Sequence, residues 1–278
     1  MTDFGYLLAS TTACTLPRPW SEALAAAFAD LYTWIHPKRA RAIEGRLRRI
    51  WSETGRPGAP PSPRETYRAF SRAVLDFLAA RPGKRLRVHL DDESRAILEH
   101  VRASGRATVI VSGHFGPWEV ALQWLAREMG PVHALAQAHR SRAVERFFAA
   151  RRAAFGVRTL SGERPVSVAL GHLRSGGWIA ALADRGSRVR ILNRRPIVGR
   201  SGLVPLDPTP LLLARRANAQ ILAGVASRAS DGAIEVRFHP PFTIENSLED
   251  GEATLQQFFD AHVRAHPTQW FHWAGTAG

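Results

Sequence analysis

Cysteine is almost absent from this chain: Cys14 is the only one among 278 residues. A single cysteine cannot form an intrachain disulfide, which excludes a disulfide framework and favours a reducing compartment. The sequence also has no His-Glu-x-x-His motif and no cluster of cysteine and histidine at the spacing of zinc ligands. We therefore do not expect a metal site.

Several motifs of common enzyme classes are missing as well. There is no Gly-x-Ser-x-Gly elbow, which disfavours an ordinary α/β-hydrolase. There is no Walker A loop and no Gly-x-Gly-x-x-Gly, so nothing supports nucleotide binding.

Long hydrophobic runs are missing too. The best candidate, Phe4 to Leu16, is uncharged but has only 13 residues, whereas a helix that crosses a bilayer needs about 20. Asp3 stands where a signal peptide would be basic, so export is not expected. The N-terminus is expected to lie on a membrane or to pack on the protein, and the sequence favours neither.

Acidic residues are scarce relative to basic ones. The chain has 24 acidic residues against 38 lysines and arginines, which gives a formal net charge of +14. This excess favours an acidic partner, such as an anionic membrane surface, an acidic carrier protein, phosphorylated substrates or nucleic acid. Apart from the charge there is no nucleic-acid-binding signature, and we do not expect nucleic acid as the partner.

The hydrophobic pattern divides the chain into two regions. Residues 1–105 are predicted to be helical, and residues 106–278 alternate strands with helices, which predicts an α/β core with a mainly parallel sheet flanked by helices. The predicted strands of that core are 107–112, 132–137, 157–160, 178–183, 220–226 and 234–238, the last one joined through a turn at 230–232. The predicted helices of the core are 117–129, 141–155, 164–174, 208–217 and 252–265.

The most informative stretch is Val111-Ser112-Gly113-His114-Phe115-Gly116-Pro117-Trp118-Glu119, which follows the first buried strand of the core. Two glycines turn the chain, and Pro117 suits the first position of a helix. His114 therefore lies in a loop at the carboxyl end of a strand, and Glu119 lies in the first turn of the next helix. From the loop, the imidazole could be reached by the Glu119 carboxylate, which would fix its tautomer.

The spacing alone is weak, because a chain with 11 histidines and 24 acidic residues contains about one His-x4-acid match by chance. From the residues, a buried and hydrogen-bonded structural histidine is as good an interpretation as a catalytic dyad. An arginine-rich stretch between Asp184 and Asp207, starting at Arg185, similarly predicts either an anion-binding rim or a solvated charged loop.

Five motifs together resemble the bacterial lipid A late acyltransferases of the lysophospholipid acyltransferase superfamily, over roughly residues 85–275. The first is the His114–Glu119 block, which is similar to the family's His-x4-Asp/Glu motif. The others are Val144–Arg152, Leu182-Ala183-Asp184 with the later Leu192-Asn193-Arg194-Arg195-Pro196, the helix that starts at Asp207-Pro208, and Pro267-Thr268-Gln269-Trp270.

The resemblance implies an acyltransferase-like α/β fold and transfer of a fatty acyl chain from a thioester, on acyl carrier protein or coenzyme A, to a hydroxyl of a lipid A-like acceptor. It implies His114 as general base and Glu119 as the residue that orients it. Arg152 (or Arg151), Asp184 and Arg185 would contact substrate, and either the backbone of Gly113–Gly116 or Arg152 would stabilise the oxyanion. It also implies a peripheral or monotopic location on the cytoplasmic face of the inner membrane.

Three alternatives remain open from the sequence. The acceptor could be another lysolipid or aminolipid, or water could be the acceptor in a thioester hydrolase that uses the same dyad. A non-catalytic basic protein that docks on membranes or nucleic acid is the third.

Overall fold

The computed structural model describes residues 13, 15–84, 86–137, 139, 141–161, 165–185, 202–245 and 247–271. The α-helices within them are α1 Arg18–Ile35, α2 Pro37–Thr54, α3 Pro63–Ala79, α4 Asp92–Ser104, α5 Trp118–Met129, α6 Arg142–Ala153, α7 Pro165–Arg174, α8 Thr209–Ala217 and α9 Leu248–Ala265. The strands are β1 Val88–His89, β2 Thr108–Ser112, β3 Val132–Leu135, β4 Val157–Leu160, β5 Trp178–Leu182, β6 Gln220–Arg228 and β7 Ile234–Phe238.

The strands form one sheet in the order β1-β7-β6-β2-β5-β3-β4. All neighbouring strands are parallel except β6 and β7, which form an antiparallel hairpin closed by the predicted turn, where the Gly232 N–H donates to the Ala229 carbonyl at 3.0 Å. This confirms the predicted α/β class with a mainly parallel sheet. β2 lies in the middle of the sheet. Helices cover both faces of the sheet there, and a strand buried on both faces is apolar at nearly every position.

The core lies on both faces of the sheet. Val109 and Val111 of β2 pack with α7, α8 and α9, whereas Ile110, between them, packs with α4 and α5. Alternate residues of a strand point to opposite faces, so one short apolar run contributes to both halves of the core.

Two parts of the sequence prediction were wrong in detail. Residues 1–105 are not all helical, because Val88 and His89 add a two-residue strand beside β7, too short to show a periodic pattern. The last helix begins after Ser247, whose hydroxyl accepts from the Asp250 N–H, and not at Glu252. Gly251 resembles a helix breaker in sequence, but here a side chain on it would come within 2.4 Å of Ile244. The division of the chain at residue 105 into two domains stays a prediction.

None of the helices in the described part of the chain combines the length and the apolar character that crossing a bilayer requires.

Candidate active site

The register of two parallel strands brings His114 and Asp184 together. Ser112 at the end of β2 is paired with Leu182 at the end of β5, and each functional residue lies two positions further along. The His114 Nδ1 atom is 2.7 Å from Asp184 Oδ1. A carboxylate can only accept, so Nδ1 carries the proton and Nε2 keeps the lone pair with which it can act as a base.

Asp184 is held as a carboxylate in a buried position. Its side chain is fully buried, and its second oxygen accepts from the backbone N–H of His114 and from the indole Nε1 of Trp270, both at 3.0 Å. Burial by itself would raise the pKa of Asp184, but the charge of His114 and the three hydrogen bonds outweigh it and lower that pKa to about 2. Asp184 is therefore ionised at any pH at which the protein would work.

The C-terminal segment fixes this pair from the other side. The Phe271 N–H donates to the His114 carbonyl at 2.9 Å. The Arg46 guanidinium lies 4.8 Å from the centre of the Trp270 ring and donates to the Trp270 carbonyl. Burial lowers the pKa of Arg46 to about 10, and the guanidinium still carries its charge near Asp184. Neither Arg46 nor the role of Trp270 was predicted from the sequence, although Pro267–Trp270 is one of the motifs on which the family resemblance depends.

The expected pairing of Glu119 with His114 was wrong. Glu119 instead forms a bidentate ion pair with Arg152 of α6, with one contact at 3.0 Å from Nε and one at 2.5 Å from Nη2. Glu119 lies on the first turn of α5, and its carboxylate is directed to Arg152 near the end of α6. Burial alone would lower the pKa of Arg152, but the hydrogen bond and charge of Glu119 raise it above its ordinary value. The remaining Nη1 of Arg152 donates to the Thr159 hydroxyl at 3.4 Å, a long hydrogen bond.

The two glycines of the loop have packing roles. A side chain on Gly113 would come within 2.5 Å of the Phe115 ring and 3.0 Å of Asp184 Cβ. Gly116 has a φ of +48°, and a Cβ there would meet the Ala226 carbonyl at 2.6 Å. The N–H of Gly116 donates to the Gln269 carbonyl at 2.7 Å, so it is not free to stabilise an oxyanion as the sequence analysis had suggested. Substrate binding by Gly113 stays a prediction.

A cavity lies between α5 and one face of the sheet. Its lining is predominantly apolar, and several of the residues that the sheet contributes have small side chains: Ala134, Ala180, Ala181, Gly224 and Ala226. Small residues under a helix leave room that larger ones would fill. Trp118 and the Glu119–Arg152 pair belong to the lining, and the Trp118 ring centre is 5.2 Å from that of His114. Trp118 therefore contacts both the His114 imidazole and the cavity.

The arginines that were predicted to contact substrate do not all lie at the cavity. Arg185 lies three residues after the end of β5 and is exposed, although the preceding Asp184 is buried. The later arginines of that stretch lie outside the described residues. Of the two candidates on α6, Arg152 is the one at the cavity, while Arg151 lies over the Phe147 ring at 5.2 Å.

A family model described as bacterial lipid A biosynthesis acyltransferase matches residues 2–274, nearly the whole chain. The chain belongs to this family. No curated protein matches it. Membership in the lipid A biosynthesis acyltransferase family supports an enzyme that transfers an acyl group to a lipid acceptor, and so implies an acyl donor and a lipid acceptor as its partners.

Proposed function

We propose that this protein transfers a fatty acyl chain from a thioester to a hydroxyl of a lipid A-like glycolipid, with His114 as the general base and Asp184 as the residue that orients it. The observation that carries the proposal is the His114–Asp184 pair, whose imidazole lies beside Trp118, a residue that lines an apolar cavity. A histidine with a buried carboxylate on one nitrogen and a reaction site on the other is a common arrangement for acyl transfer.

The reaction follows from that geometry. His114 Nε2 takes the proton of the acceptor hydroxyl while the oxygen forms a bond to the thioester carbonyl carbon. The carbonyl electron pair moves onto its oxygen and gives a tetrahedral oxyanion. When the C=O bond re-forms, the C–S bond breaks and the thiol leaves with the proton that His114 returns. General-base assistance of this kind contributes about 10²–10⁴-fold in rate.

The cavity would hold the hydrocarbon of the acyl donor. Its lining of alanine, leucine, valine and phenylalanine side chains matches an alkyl chain, and each buried methylene contributes roughly 0.8 kcal/mol to binding. Because Arg152 stands in the same lining and has Nη1 directed to a weak partner, it is our candidate donor to the oxyanion or to a polar group of the substrate.

The donor would be acyl carrier protein or coenzyme A, both of which are anionic and suit the +14 charge of the chain. No metal or redox cofactor has a step in this scheme. We place the protein at the cytoplasmic face of the inner membrane as a peripheral or monotopic enzyme, where donor and lipid acceptor meet.

The test is a transfer assay with purified protein, a labelled acyl thioester and a lipid A precursor, read by mass spectrometry of the lipid product. His114→Ala should abolish transfer without unfolding the protein, as judged by circular dichroism. The matched control is His139→Ala, since the His139 ring is stacked on Phe148 away from Asp184. Full activity of folded His114→Ala would overturn the proposal.

The same assay decides the acceptor class. Release of free fatty acid without lipid product would assign a thioester hydrolase, and transfer to a lysophospholipid or aminolipid alone would replace the glycolipid acceptor. The lipids of cells with and without the protein provide a second readout, since a lost acyl chain identifies the natural product.

A further inference from the structure

Helix α1 exposes large apolar side chains to solvent, whereas a surface helix normally buries its apolar face. In the described part of the chain, every large apolar side chain that is exposed, except Val168, lies between Leu16 and Ile35. Trp34 is 80% exposed and Trp20 69% exposed. An exposed set of this size on one helix marks an interaction surface rather than ordinary surface variation.

These side chains share one face of α1. The exposed positions of the helix after Pro19 follow the i, i+3, i+4 spacing of a single stripe and carry no charge. We call this stripe the α1 apolar face; it consists of Trp20, Ala23, Leu24, Ala27, Phe28, Leu31, Trp34 and Ile35. The two tryptophans are 14 positions apart, so they lie about 21 Å from each other along the helix axis.

The polar side chains of α1 point to the protein instead. Arg18 Nη2 pairs with Asp76 of α3 at 2.5 Å, and Asp30 accepts from Arg68 Nε of α3 at 2.7 Å. Arg18 and Asp30 of α1 thus form ion pairs with the helix on which α1 packs. The apolar face of α1 therefore points to solvent because the polar face of the same helix packs on α3.

Positive charge borders this face. The next helix, α2, starts after one residue and exposes Lys38, Arg39 and Arg41 in its first two turns, and Arg39 Nη1 donates to the Tyr32 hydroxyl of α1. An apolar helical stripe that ends in tryptophans and continues into a basic helix is complementary to a bilayer surface with anionic lipids: the indoles suit the interface and the cations suit the headgroups.

We propose that the α1 apolar face docks in the plane of an anionic phospholipid bilayer, with the basic side chains of α2 on the headgroups. The inference deepens the proposed membrane location by assigning the docking surface and the lipid charge. It also bears on the site, because α3 lies against α1 and carries Phe70, which is stacked on Trp118 of the cavity lining. Docking would bring the membrane to the helix pair that borders the site.

The test is co-sedimentation of the full chain with vesicles of phosphatidylcholine, with and without 30% phosphatidylglycerol, a composition chosen to give roughly the surface charge of a natural anionic leaflet. Binding should be stronger to the anionic vesicles and should weaken with salt. Leu24→Gln/Phe28→Gln should lower the partition coefficient at least tenfold, because it removes apolar burial. Lys38→Gln/Arg41→Gln should lower binding to anionic vesicles by about fivefold for each charge removed and leave binding to neutral vesicles unchanged.

Val168→Gln is the matched control, since Val168 is 54% exposed but lies on α7; its binding should equal that of the unmodified protein. Equal vesicle binding by the folded Leu24→Gln/Phe28→Gln variant would overturn the inference. A second result would also overturn it: the unmodified chain does not bind vesicles but self-associates in light scattering, and the Leu24→Gln/Phe28→Gln variant does not self-associate. The α1 apolar face would then bind a second copy of the chain.

The outcome is independent of catalysis. His114→Ala should bind vesicles normally, and the α1 variant should keep its transfer rate on detergent-dispersed lipid. An inactive enzyme that binds vesicles would refute only the proposed function, and an active enzyme that does not bind them would refute only the docking surface.

Discussion

The Trp270 indole donates its Nε1 hydrogen to Asp184 Oδ2 at 3.0 Å, across 86 positions of sequence. Both side chains are buried. This bond, together with the backbone N–H of His114, leaves only one Asp184 oxygen for the imidazole. The position of the His114 imidazole therefore depends on a residue near the C-terminal end of the described chain.

Trp270→Phe tests that relationship. Phenylalanine keeps much of the ring packing but has no donor, so we expect Asp184 to lose one hydrogen bond and to hold His114 less well. The turnover number should fall roughly tenfold or more, given that a buried acceptor loses about 1–3 kcal/mol when left unpaired, while the KM for the donor stays nearly constant. Trp118→Phe is a poor control because it lines the cavity, so Trp51→Phe, on α2, is used. An unchanged turnover number would show that the indole has no positioning role.

Asp184→Asn should reduce acyl transfer by about 10²–10⁴-fold, because an amide cannot stabilise the imidazolium and can hold the wrong tautomer. Steady-state kinetics and a thermal melt on the same preparation separate lost activity from lost folding. Activity within threefold of the unmodified protein would contradict the assigned orienting role.

Glu119→Gln should act differently, because Glu119 neutralises Arg152 and does not touch His114. Removing one partner of a buried ion pair costs about 3–5 kcal/mol of folding stability, so urea denaturation should show the main effect. The pH dependence of the turnover number should keep its position. A shifted acidic limb in this variant would favour the original pairing of Glu119 with the imidazole. Glu145→Gln is the control, since Glu145 is more exposed and bonds to Ser161 and the His139 N–H.

Ala180→Leu should shorten the acyl chain that the enzyme prefers. Ala180 is buried on the sheet face that borders the cavity, so a larger side chain would occupy space we assign to the alkyl chain. Competition between donors of increasing length, read by mass spectrometry, gives the preference. Ala214→Leu, a buried substitution in the other half of the core, controls for the roughly 1–3 kcal/mol of overpacking and should leave the preference unchanged.

Stability should fall on acidification below about pH 6.5, the ordinary pKa of histidine. Burial and the neighbouring His266 lower the pKa of His262 to about 3, so the unfolded chain binds a proton that the folded chain does not. The stabilisation is complete above pH 6.5 and is lost as the pH falls towards 3, with a slope of at most about 1.4 kcal/mol per pH unit for this group. Urea titrations at pH 7 and pH 5 should show a smaller difference for His262→Gln than for the unmodified chain. An equal difference would assign the acid sensitivity to other groups.

The sequence by itself determined the order of strands and helices after residue 105, the mainly parallel sheet and the placement of His114 in a glycine-flanked loop at a strand end. These features depend on local patterns: apolar runs, caps, prolines and turns act over a few residues. It also contained both Asp184 and Trp270 within motifs, although without their partners.

Only the tertiary structure decided which carboxylate reaches the imidazole. His114 and Glu119 are five residues apart, yet α5 turns Glu119 towards Arg152, whereas Asp184, 70 residues away, is brought to His114 by the pairing of β2 with β5. The pairing of strands and the facing of helices depend on contacts between distant segments, and so the spacing of residues in a motif could not reveal them. The exposure of the α1 apolar face also depends on a contact between separate segments, because the packing of α1 on α3 determines which side of the helix is covered.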